Sequence, residues 1–213
     1  MRTASLFTLA LLVCAAARGQ SRPPADAPHA KLPQDQHGGL TISADAYSDA
    51  ARAKDKFGKA NPLPAGILAV EVFLRNDTSQ IVRVKLKTIQ LEVQFHDGTH
   101  QNVDSLSARE VAAAIAHPAG ASSPSLPRIP IRIPDTGKDK KVDQLAEILS
   151  PLALDSDIVP PKGAIHGFVF FNMNHEMSLV PRSSLYVPDA MFVPENQPLM
   201  FFEVPLAGSA PAS

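Results

Sequence analysis

Residues 66–76 read GILAVEVFLRN, and one parity of that stretch carries Leu68, Val70, Val72 and Leu74. The other parity mixes Ile67, Ala69, Glu71 and Phe73. Successive side chains of a strand point to opposite faces, so this period of two predicts a central strand buried mainly on one side. Asn76-Asp77-Thr78-Ser79 follows as a turn, because Asn and Asp tolerate left-handed backbone and bond their own main chain.

Downstream, Val82, Val84 and Leu86 alternate with Arg83, Lys85 and Lys87, and the pattern restarts as Ile89, Leu91, Val93 and Phe95. The parity shifts between Leu86 and Ile89. A one-residue slip would send every following side chain to the wrong face, so a bulge or break is expected near Lys87-Thr88. Asp97-Gly98 marks a hairpin tip. Ser107 and Glu110 form a capping box for a helix over Ser107 to Ala116, ended by Pro118. Lys140 to Leu149 repeats Val142, Leu145, Ile148 and Leu149 at helical spacing, while the four prolines of Ala119 to Pro134 predict irregular structure between the two helices.

Strand character returns at Ile165 to Met173, Ser184 to Val187 and Leu199 to Val204, and upstream at Leu40 to Ala46. Seven strands without alternating helices predict a mainly β chain, a single immunoglobulin-like antiparallel β-sandwich over residues 40–206 with a two-helix insertion at about 105–150. Phe168, Phe170 and Phe171 place rings on both faces of their strand, so the helix around Leu145 to Leu149 is expected to cover one of them.

Outside this domain the residues are of another kind. Arg2, the apolar run Leu6 to Ala17, and small residues at Ala17 and Gly19 make residues 1–19 a secretory signal. The run is shorter than the ~20 residues of a spanning helix, and no membrane span is expected. Gln20 to Gly39 is polar and Pro-rich and reads as a disordered linker, with a similar tail at 207–213. The only cysteine, Cys14, leaves with the leader, which removes disulfides and thiolate chemistry from the mature chain. Loss of Arg2 and Arg18 leaves 18 basic residues against 21 acidic ones, a net charge of −3. That balance disfavours nucleic acid as a partner.

The stretch Leu68 to Thr78, the apolar pair Ile81-Val82, and Ile89 to Val93 leading to Asp97-Gly98-Thr99 together resemble the secreted bacterial immunoglobulin-like domains grouped as DUF4352. The likeness covers roughly residues 66–100. It implies an exported setting and a fold without catalytic residues, while the two-helix insertion departs from the family pattern.

Candidate chemistry is sparse. If the strand through Phe171 continued, Met173, His175 and Met177 would share one face, and two thioethers around an imidazole suit Cu(I). This spacing also resembles the H-x-M element of periplasmic copper chaperones. The competing reading makes Met173 a core residue followed by a turn. His96 and His100 flank the hairpin: a two-residue loop turns them to opposite faces, a three-residue loop would set them opposite each other on one face, and a shared metal site is not expected. Asn76-Asp77-Thr78 matches a glycosylation acceptor on an exposed turn. His175-Glu176 lacks the second histidine of a zinc-protease helix, and there is no nucleophile elbow or P-loop. The expectation is an exported binding or interaction module without catalytic activity or cofactor, acting on a protein or envelope partner; the alternative is a periplasmic copper-handling protein.

Overall fold

Alternating apolar and polar side chains make strands the commonest regular element, and the computed structural model describes residues 32–95, 97–118, 139–193 and 195–207. Its strands are β1 (Gln34–His37), β2 (Leu40–Ala46), β3 (Ile67–Asn76), β4 (Val82–Val84), β5 (Gln90–Gln94), β6 (His100–Leu106), β7 (Ile158–Val159), β8 (Gly163–Asn172), β9 (Ser183–Val187), β10 (Ala190–Phe192), β11 (Gln197–Pro198) and β12 (Phe202–Pro205). Three α-helices join them: α1 (Ala50–Phe57), α2 (Ala108–Ala116) and α3 (Lys140–Leu149). The leader, most of the linker, the Ala119 to Pro134 segment, His96 and the end of the tail lie outside the described residues.

Every pairing between the named strands is antiparallel, and the arrangement is mainly β and sandwich-like, close to a barrel. One sheet has the order β1-β2-β3-β8-β6-β5-β9-β12, and a smaller one runs β11-β10-β4-β7. The outermost strands of the large sheet meet: the Glu203 amide donates to Asp35 Oδ2 at 2.9 Å, and the His37 ring lies 5.0 Å from that of Phe202. The expected break at Lys87-Thr88 is a 3-10 turn over Leu86–Thr88. It does more than shift parity, because β4 before it belongs to the small sheet and β5 after it to the large one. Where strands change sheets, the inward set of residues must be reset.

Two cores result. Leu68, Val70, Val72 and Leu74 of β3 face the inside of the large sheet, where Val82, Val84 and Phe192 of the small sheet meet them. Ile67 and Ala69 face the other way, with Phe168 and Phe170 of β8. There Val111 and Ala112 of α2, Leu145 and Leu149 of α3, and Phe57 of α1 cover them. The inserted helices thus cover the second aromatic face as expected. The capping box is present, with Ser107 Oγ accepting from the Glu110 amide and Glu110 Oε2 accepting from the Ser107 amide.

The structure corrects the domain reading at several points. Twelve strands are present among the described residues in place of seven, the additions being short or weakly alternating. The linker assignment fails at Gln34–His37, which pairs with Leu40–Ser43 as a strand. Polar side chains are tolerated there because β1 is an outermost strand with solvated residues. The loop lies between Phe95 and Thr99, three residues in place of two: the Phe95 amide donates to Thr99 O at 2.9 Å, and Gly98 takes φ +83°, the left-handed backbone that glycine favours. Asn76 is fully buried and donates to the carbonyls of Gln80, Val159 and Pro160, so the acceptor expected on an exposed turn is a tertiary fastener.

Candidate functional site

The methionine and histidine residues singled out by spacing do not form one strand face. β8 ends at Asn172, and Asn174 and His175 both take positive φ, at +46° and +69°, while the Glu176 amide donates to Met173 O at 2.8 Å. This tight turn replaces the strand continuation on which the copper reading stands. Met173 is 4% exposed and Met177 packs against the same inner core, whereas His175 is exposed. His100 lies on β6 with its Nδ1 2.8 Å from Glu92 Oε1 on β5, and its pairing partner is Gln94. Among the described residues no three His, Cys, Asp or Glu side chains form a metal-sized cluster.

Two other places carry chemistry. On the outer face of the large sheet, Glu71 of β3 is nearly buried and accepts a 3.0 Å hydrogen bond from the Tyr47 hydroxyl. Lys56 Nζ of α1 and His166 Nδ1 of β8 each lie 3.6 Å from its Oε1. Beside it, Arg52 of α1 forms a two-pronged pair with Asp45 of β2, at 2.7 and 3.3 Å, and its guanidinium sits 4.5 Å over the Tyr47 ring. The Asp45 bonds push Arg52 further above its ordinary range. These groups are occupied with one another, and what they accomplish is to fasten α1 to the sheet.

Burial first, and the Glu71 carboxylate next, push the Tyr47 hydroxyl up to about 12. The protonated phenol is therefore favoured in the folded state. With the folded value above the ordinary 10.0, this stabilisation is complete below pH 10 and is lost as pH rises towards 12. The urea midpoint of the native protein should fall more steeply over that interval than that of a Tyr47→Phe variant. Equal slopes would mean that the Tyr47–Glu71 bond contributes nothing.

The second place is a cleft of about 410 Å³. It follows from how β8 shares its edge. β6 runs beside β8 only at Ser105↔Phe171 and Leu106↔Phe170, then turns into α2. Further along the same edge, the segment after α3 takes over: the Leu154 amide donates to Phe168 O at 3.0 Å and the Phe168 amide to Leu152 O at 2.8 Å. Between the two neighbours, side chains from both cores reach the opening, Val169 from one and Phe168 and Phe170 from the other. Lys87 and the first turn of α2 stand at its polar rim. Sequence reasoning missed this site because no local pattern marks where two distant segments stop sharing an edge. Among the described residues no helix is long and apolar enough to cross a membrane.

No family model and no curated protein matches the chain. Among solved structures it is similar to a functionally unknown protein from Listeria monocytogenes EGD-e, over 81% of this chain and 79% of that one, at 13% identity and a TM-score of 0.37.

Proposed function

We propose that this protein is an exported, immunoglobulin-like binding module without catalytic activity, and that its ligand enters the cleft beside β8. The observation that carries the reading is the cleft itself. Its volume lies within the roughly 300–1,000 Å³ typical of small-molecule sites, and its wall is mostly apolar with a few polar groups at one rim. The absence of catalysis is supported by Glu110, the carboxylate at that rim. It is committed to the capping box, accepting from both the amide and the hydroxyl of Ser107 at 2.7 Å. Export is supported by the three-part leader at residues 1–19.

The test is uptake of an uncharged fluorescent naphthylamine, N-phenyl-1-naphthylamine, by the purified chain. One probe per chain with enhanced emission is expected. Ala108→Leu, which enlarges a lining side chain at the first position of α2 at little cost in helix propensity, should weaken uptake about tenfold or more. No uptake, or uptake unchanged by Ala108→Leu, would remove the cleft from the reading.

A further inference from the structure

We infer that the cleft takes an aliphatic carboxylate, a fatty-acid-like molecule whose chain lies among Leu86, Leu106, Leu154, Val169 and Phe170 and whose head meets Lys87; this rests on the binding-module reading above. The apolar part of the argument is the lining: Leu86, Leu106 and Leu154 are partly exposed and present the accessible apolar surface, while Phe170 and Val169, 1% and 7% exposed, belong to the two cores beneath. A flexible alkyl chain is the chemistry that fills such an edge cleft without requiring hydrogen-bond partners from it.

The head is assigned by charge. Among the described residues that line the cleft, Lys87 is the one cation. Its neighbour Lys85 is paired with Asp189 at 3.6 Å, whereas among the described residues no carboxylate stands within ion-pair distance of Lys87. Glu110, the only acidic residue among the described lining residues, has its Oε2 held by Ser107 at the start of α2. The N-terminal end of α2, from Ser107 to Ala108, lines the same cleft, and the positive end of its dipole is set against the Glu110 carboxylate of its first turn, so Lys87 supplies the net attraction for an anion. A carboxylate held there would gain a charge-assisted bond. A cationic head would meet Lys87 unfavourably, and an uncharged head would gain no charge-assisted bond from that exposed ammonium.

Calorimetric titration of the full chain with decanoate, decanol and decyltrimethylammonium, each below its micellar range, tests this. Decanoate should bind one-to-one and about tenfold more tightly than decanol, with the cationic probe weakest. Lys87→Met should erase the preference of decanoate over decanol while leaving decanol binding in place, and Ala108→Leu should weaken all three. Equal binding of decanoate and decanol by the native chain would overturn the head-group assignment and leave the cleft as a binding site. Decanoate binding that survives Ala108→Leu, or no binding of any probe, would overturn the cleft as well.

Discussion

Replacing Asn76 by Ala should lower the unfolding free energy by about 3 kcal/mol, because it removes a fully buried amide that hydrogen-bonds three main-chain carbonyls and the Thr78 amide. Asn76 is 0% exposed, and its Nδ2 serves the carbonyls of Gln80, Val159 and Pro160 at 2.7, 3.3 and 3.2 Å. Its Oδ1 accepts from the amide and hydroxyl of Thr78 at 3.0 and 2.7 Å. One side chain thereby closes the turn after β3 and ties it to the segment at β7, joining the large sheet to the small one. Asn76→Asp separates shape from donation: it keeps the acceptor for Thr78 but turns oxygen lone pairs toward the three carbonyls, and should cost at least as much as Ala. Urea unfolding of the two variants checks both statements. A loss under about 1 kcal/mol for Ala would show that water replaces the side chain freely.

Gly167→Ala is the second substitution with a large expected effect, about 3 kcal/mol, and it acts on the cleft. A Cβ at this position would lie 2.6 Å from the Leu154 Cα and amide nitrogen and 2.9 Å from the Ala153 carbonyl carbon. These are backbone atoms, held in place by the two hydrogen bonds between Phe168 and the Leu152–Leu154 segment. The new methyl can be accommodated only by moving that segment off the edge of β8, which gives up both bonds, each contributing about 1 kcal/mol, and adds strain. Hydrogen exchange should then quicken at the amides of Phe168 and Leu154 while the β2 and β3 amides remain protected. Binding of decanoate should weaken in parallel, since Leu154 forms one wall of the cleft. Unchanged exchange at Phe168 would mean that the close approach of Gly167 is not what seats the segment.

The two helices of the insertion were legible because their signals are local. Ser107 and Glu110 are three residues apart, and the apolar stripe of Lys140 to Leu149 needs no partner to be recognised. α1 was not foreseen although its caps are ordinary, with Asp49 accepting from the Arg52 amide and Gly58 following Phe57. Only Ala53 and Phe57 are buried along it, too few apolar residues to raise a periodic signal above its charged neighbours. The polar cluster it brings to the sheet was invisible for the same reason: Tyr47 and Glu71 are separated by 24 residues, and nothing in either neighbourhood anticipates the other.

The stretch at residues 66–76 shows where the division falls. Alternation determined that it is a strand, that Leu68, Val70, Val72 and Leu74 form its inward face, and that the chain turns after Asn76, because these follow from backbone geometry and the burial of apolar side chains. Only the tertiary structure decided that its other face is also covered, that Glu71 is met by Tyr47, Lys56 and His166, and that Asn76 reaches across to Val159. The same holds for the cleft, made where β6 and the Leu152–Leu154 segment share one edge of β8. Periodicity records which side of an element seeks burial; it carries no record of which distant element provides it, because that choice is made by packing among segments far apart along the chain.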